Sequence, residues 1–178
     1  MNALVVYSSR TGNTRTVAEA IHAALPAGTA VVSVHDAPEP RGYDLLALGF
    51  WVNRGGPDAA MLRYMTQVQA ARVALFGTLG AYPDSPHAHK VREKAVAALA
   101  PGNQVLGTFL CHGRMDPARI AALQENPSVA RHHPMTEERR LRLQAAQTHP
   151  DATDCAQAQA FIHEMLALLP ALSPARLL

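Results

Sequence analysis

Cysteine is scarce, long apolar runs are missing and no block of like charge stands out, and each shortage closes a class of explanation. Two cysteines, Cys111 and Cys155, stand in 178 residues. They are far apart and lack the paired spacing of a metal knuckle or a dithiol redox motif, so reduced thiols in a cytoplasm are the expectation. The apolar stretch 161–172 is interrupted by His163, Glu164 and Pro170 and is too short to span a bilayer. Met1 leads straight into a strand pattern without a basic leader or cleavage site, so neither membrane insertion nor export is expected. Basic residues are spread along the chain apart from Arg139, Arg140 and Arg142, and the formal net charge is only +2, which excludes an evident nucleic-acid footprint. Neither GxxxxGK[ST] nor GxGxxG occurs, although a nucleoside triphosphate or a dinucleotide would call for one of them after the first strand.

What is there is an alternation of short apolar runs with longer helical patterns. The runs Ala3–Tyr7, Ala30–Val34, Asp44–Phe50, Arg72–Thr78 and Gln104–Cys111 read as strands buried on both faces, and the intervening segments Asn13–Leu25, Asp58–Val68 and Pro86–Leu99 carry apolar residues at helical spacing. Alternation of this kind predicts βαβ units, a parallel sheet and right-handed crossovers. The length fits one domain, residues 1–178, with a tail. In that tail a short helix near Pro117–Gln124 precedes a polar stretch, 125–150, rich in His, Arg and Pro. Thr136 with Glu137 and Glu138 predicts a helix start, and Asp151 and Thr153 are both candidate caps for a last helix whose Phe161, Met165, Leu168 and Leu169 would face the sheet.

The most informative segment is Ser9, Arg10, Thr11, Gly12, Asn13, Thr14, directly between the first strand and the first helix. A helix N-terminus presents unpaired amides and a positive dipole end. The hydroxyls of Ser9, Thr11 and Thr14 can add hydrogen bonds, and Gly12 permits close backbone approach. Such a loop can hold a phosphate without lysine. The competing reading is a polar turn in which Thr11 or Asn13 only caps the helix.

These residues resemble the phosphate loop of the flavodoxin family: a hydroxyl residue, any residue, a hydroxyl residue, then Gly, Asn and Thr. The resemblance continues in Gly49–Gly56 (GFWVNRGG) and Phe76–Pro83 (FGTLGAYP). It is closer still to a less typical branch that carries sequences like FWVNRGG, FGTLGAYPDS and a later HPMTEERR. The resemblance implies a doubly wound five-stranded parallel sheet of order 2-1-3-4-5 with a helical C-terminal extension, and FMN as cofactor. Its phosphate would be held by Ser9 to Thr14, and its ring by Trp51, Val52 and Asn53 from one loop and Thr78, Leu79, Gly80, Ala81 and Tyr82 from another. The resemblance implies an FMN-binding redox protein without naming a partner, and the first reading is that the chain shuttles electrons between redox partner proteins. The alternative is an FMN-dependent reductase of a quinone, a tetrapyrrole or another planar acceptor, with 125–150 contributing to the substrate pocket. No catalytic side chain is assigned, and a homodimer stays open.

Other residues carry less. Trp51, the only tryptophan, suits a flat ligand at a strand's carboxyl end, with core packing as the competing reading. Tyr82 either contacts the ring or covers only the edge of such a site. Arg54 would stabilise negative charge gained by a flavin, or lie solvated at the surface. His87 with His89 and His132 with His133 lack carboxylate or thiolate companions at ligand spacing, so no metal is expected. Cys111 reads as an inert buried thiol. A receiver-like signalling domain would need an acceptor Asp after the third strand, where Gly49, Phe50 and Trp51 stand.

Overall fold

A computed structural model describes residues 1–125, 131 and 134–169. The strands β1 (Ala3–Tyr7), β2 (Ala30–Ser33), β3 (Leu45–Asn53), β5 (Arg72–Leu79) and β6 (Gln104–His112) form a parallel sheet in the order β2-β1-β3-β5-β6. Counting parallel strands alone, this is the expected order 2-1-3-4-5. The sequence reading lacked β4 (Gly56–Pro57), which pairs antiparallel with the end of β3. Arg54 and Gly55, at the tip between them, both have positive φ, 51° and 77°, the backbone signature of a tight hairpin turn. The hairpin extends β3 through Trp51, Val52 and Asn53, which were expected on a loop.

The period-two alternation of the strands divides the core between the two faces. Leu4, Val6, Leu46, Leu48, Phe50, Val73 and Leu75 meet Met61, Met65, Val91 and Ala95 of the helices α2 (Ala59–Met65) and α3 (Pro86–Ala97). Val5, Leu45, Ala47, Ala74, Phe76 and Cys111 meet Val17, Ile21, Ala158, Ile162, Met165 and Leu169 from α1 (Asn13–Ala23) and the last helix and its C-cap. Between them come α4 (Pro117–Glu125) and α5 (Glu137–Ala145), and α6 (Ala152–Leu168) completes the described fold. Thr136 caps α5, its hydroxyl accepting from the Arg139 N–H at 3.2 Å. Asp151 caps α6 through a reciprocal capping box with Asp154; Thr153 is inside the helix. The sheet-facing stripe of α6 also differs from expectation. Ile162 is buried whereas Leu168 is 42% exposed, because Ala158, Ile162, Met165 and Leu169 keep the four- and three-residue spacing of one helix face. His132, His133 and residues 126–130 and 170–178 lie outside the described residues, so the polar stretch is described only in part. No described helix is long and apolar enough to cross a membrane.

Two neighbouring strands lock through reciprocal aromatic and glycine pairs. Gly49 lies opposite Phe76 and Phe50 opposite Gly77. A Cβ on Gly49 would stand 2.2 Å from the Phe76 ring, and one on Gly77 would stand 2.7 Å from the Phe50 ring. Each glycine is the space into which the facing ring packs.

Candidate functional site

The carboxyl ends of β1, β3, β5 and β6 open into a cleft enclosing about 630 Å³, mouth included. This is where doubly wound sheets place ligands. One wall is the segment Ser9 to Thr14. Ser8 is anchored beneath it, its hydroxyl donating to buried Asp58 Oδ1 at 2.8 Å, while the same oxygen caps α2 by accepting from the Ala60 and Met61 N–H groups. The turn is therefore tied to the start of a second helix.

Gly12 is the N-cap of α1 with φ 91°, and among the described residues no side chain caps this helix. The capping alternative thus fails for both residues it named. Thr11 is exposed, and Asn13 is helical and donates its Nδ2–H to the Arg114 carbonyl at 2.8 Å. Thr14 is buried and its hydroxyl is 2.9 Å from that of Thr78. Ser9 Oγ is buried without a hydrogen-bond partner among the described residues. An uncapped helix start beside an unsatisfied buried hydroxyl is a donor set that fits a phosphate monoester, and Arg10 and Arg114 on the cleft lining add positive charge.

The opposite walls carry the flat, apolar surface. Trp51 and Val52 from β3 and Thr78, Leu79 and Gly80 at the end of β5 line the cleft. The Arg10 guanidinium stands 5.9 Å from the Trp51 ring centroid, within cation–π range. Of the fourteen residues expected here, ten line the cleft: Ser9, Arg10, Thr11, Asn13, Thr14, Trp51, Val52, Thr78, Leu79 and Gly80. Gly12 shapes the turn between lining residues. Asn53 pairs with Gly56 in the hairpin, Ala81 packs against the apolar core, and Tyr82, 42% exposed, stacks on His112.

A fourth wall, Gly113 to Asp116, is absent from the sequence reading. Three hydrogen bonds anchor it: the Gly113 N–H donates to the Leu79 carbonyl at 2.9 Å, Asn13 holds the Arg114 carbonyl, and the Arg114 N–H donates to the His149 carbonyl at 3.0 Å. Gly113 suits this position, because a Cβ would sit 2.9 Å from Asn13 Nδ2 and 3.0 Å from Thr78 Cβ, so the Asn13 amide that holds the wall would have to shift. The available signal was Gly113 immediately after a strand's carboxyl end. Cys111 is buried and unpaired with another thiol, and burial raises its pKa far above the ordinary thiol value, in keeping with an inert role.

Fold and cleft together define a phosphate-binding α/β protein with an aromatic wall at the carboxyl edge of its sheet. A family profile described as a flavodoxin domain matches residues 4–163. The flavodoxin-like domain-containing protein BilS of Clostridioides difficile (strain CD3) is 26% identical over 170 residues, covering 93% of this chain and 97% of the relative. The protein of the same description from Clostridium symbiosum (strain WAL-14163) is 29% identical over 192 residues, with 96% and 97% covered. Among solved structures, oxidised flavodoxin 2 from Bacillus cereus has the same fold, with a TM-score of 0.58 at 18% identity over 94% of this chain and 99% of the other. The chain belongs to the flavodoxin domain family. That membership gives it FMN as cofactor and electron transfer as its general chemistry.

Because Trp51 is the aromatic surface of the cleft, its emission should be quenched as FMN is titrated in. Trp51→Ala should weaken binding by about 1–3 kcal/mol through lost stacking and burial. Unchanged emission in the wild-type chain would remove Trp51 from contact with the ring.

Proposed function

We propose that this chain carries electrons between redox partner proteins, with FMN held in the cleft at the carboxyl ends of the strands. The unsatisfied Ser9 hydroxyl beside the uncapped start of α1 carries this reading. Ser9, Arg10, Thr11, Asn13 and Thr14 bind the phosphate, Gly12 sets the turn that presents the helix amides, and Trp51 and Val52 face Thr78, Leu79 and Gly80 across the ring. Asn53, Ala81 and Tyr82 support the rim. When bound, FMN supplies an acceptor and donor of one or two electrons. The protein's own residues then bind, orient and shield it while leaving one side of the cleft open to a partner.

The whole chain acts as one flavodoxin-like domain in which the segment before α6 buttresses the Gly113 to Asp116 wall through His149. Two free thiols accord with work in a reducing cytoplasm.

The carrier reading and a nicotinamide-consuming reductase differ in one observable, direct reduction of the bound cofactor by a nicotinamide. In anaerobic mixing, NADH or NADPH alone should leave the FMN-loaded protein coloured, and a separate flavin reductase added to the mixture should bleach it. Rapid bleaching by the nicotinamide alone would establish the reductase reading instead.

A further inference from the structure

Behind the Gly113 to Asp116 wall, His112, His149 and Asp154 form a chain of polar side chains to which phosphate and ring binding assign no part. His112 ends β6, is 5% exposed, and buries Nε2 without a hydrogen-bond partner among the described residues. Its ring stacks on Tyr82 with centroids 5.0 Å apart and planes at 29°, and meets His149 edge-on at 5.4 Å and 82°. His149 Nδ1 is 2.5 Å from Asp154 Oδ2, which also accepts the Asp151 N–H at 2.9 Å. This assembly borders the cleft directly: Leu79, the register partner of His112, and Gly113, its successor, both line it.

The groups acting on His112 come from each element around it. Burial is the largest influence and lowers its pKa; positive charge on His149, from the segment before α6, and on Arg142 of α5 lowers it further. Asp154 of α6 and a hydrogen bond with the Ala81 backbone act in the opposite sense. Tyr82 covers the ring from the loop after β5, Cys111 stays protonated beside it, and Arg114 faces the cleft. The outcome is an imidazole whose burial and surroundings oppose protonation, with one nitrogen unsatisfied among the described residues, next to a site that gains negative charge when it is reduced.

We propose that His112 is a redox-linked proton acceptor, its Nε2 taking one proton from solvent as an electron enters the cleft. The inference rests on the FMN reading above. The electron comes from a reduced redox-protein donor and the proton from water. One added negative charge is offset by one added positive charge, and no bond to the cofactor forms or breaks. A unit charge acting through a partly buried site shifts the proton affinity of such a group by about tenfold. His149 and Asp154 are positioning residues. Asp154 orients His149, whose edge holds the His112 ring, and its carboxylate favours the proton once it arrives.

The test is a nitrogen-15 NMR titration of the histidines in the full wild-type chain, loaded with FMN and compared in the air-oxidised and dithionite-reduced states. The His112 midpoint should rise by about one pH unit on reduction, and the Asp154→Asn variant should show a lower midpoint in the reduced state. Equal midpoints in samples whose visible absorption shows FMN bound and then bleached would overturn the inference while leaving the cofactor reading intact. A chain that takes up no FMN would overturn both. As an independent readout, the cofactor's midpoint potential should fall more steeply with pH in the wild-type chain than in His112→Gln, within the window bounded by the two His112 midpoints. Identical slopes would count against the inference.

Discussion

FMN should bind this chain at least about 100-fold more tightly than riboflavin, a difference of about 3 kcal/mol. The two ligands share the ring and differ in the phosphate. Hydrogen bonds to a charged group contribute about 1.5–3 kcal/mol each, and the α1 N-terminus contributes further attraction to an anion. Ser9 Oγ enters this sum favourably for a specific reason: it is buried on the cleft wall without a hydrogen-bond partner among the described residues, so its O–H is available to donate to a phosphate oxygen. Ser9→Ala should therefore cost FMN about tenfold in affinity and leave riboflavin nearly unchanged. Gly12→Val should weaken FMN binding by more, since φ 91° at Gly12 is a conformation that a β-branched residue adopts only with strain, and relaxing it would turn the helix amides away. Calorimetric titration with both ligands measures all four comparisons. Equal affinity for FMN and riboflavin would take the Ser9 to Thr14 segment out of the binding site.

The largest effect on stability is expected at Gly49. A valine there places Cβ 2.2 Å from the Phe76 ring, deep in a sheet whose neighbouring side chains are fully buried. Over-packing of a tight core costs about 1–3 kcal/mol and sometimes more. Here the obstacle is a ring fixed by the register, so a loss of at least about 3 kcal/mol is expected, a large part of the stability of an ordinary domain. Urea unfolding should show a lower midpoint with an unchanged slope. The double variant Gly49→Val with Phe76→Leu should recover part of the loss, because the smaller residue vacates the space claimed by the new methyls, and the coupling term of the cycle isolates this contact. A Gly49→Val chain as stable as the wild type would mean that the ring moves aside easily and that the packing explanation for the pair is wrong.

Local chemistry and periodicity were legible without a structure. The Ser9 to Thr14 segment is contiguous and lies between a strand and a helix, so its place on the cleft could be read from the chain. The parallel sheet was legible in the same way, because buried strands separated by amphipathic helices call for right-handed crossovers, whereas the strand order came from the flavodoxin resemblance. The β3 extension was less accessible, although Asn53, Arg54, Gly55 and Gly56 form a turn-rich run. Two residues of pairing are too short to show an alternation, and the hairpin's position beside Lys94 of α3 is a contact between distant segments. The Gly113 to Asp116 wall and the His112 assembly were out of reach altogether. Arg114 depends on partners 101 residues before it and 35 after it, Asn13 and His149, and the properties of His112 come from Tyr82, Arg142, His149 and Asp154, which no sequence spacing brings together. By itself the sequence determined the class of fold, the turn between β1 and α1 that lines the cleft and the tryptophan on its opposite wall, since each depends on residues adjacent in the chain or repeating at a regular period. Which residues close the cleft, and how burial and charge bear on the histidine behind it, were decided only by tertiary packing, because desolvation and Coulomb forces depend on distance in space.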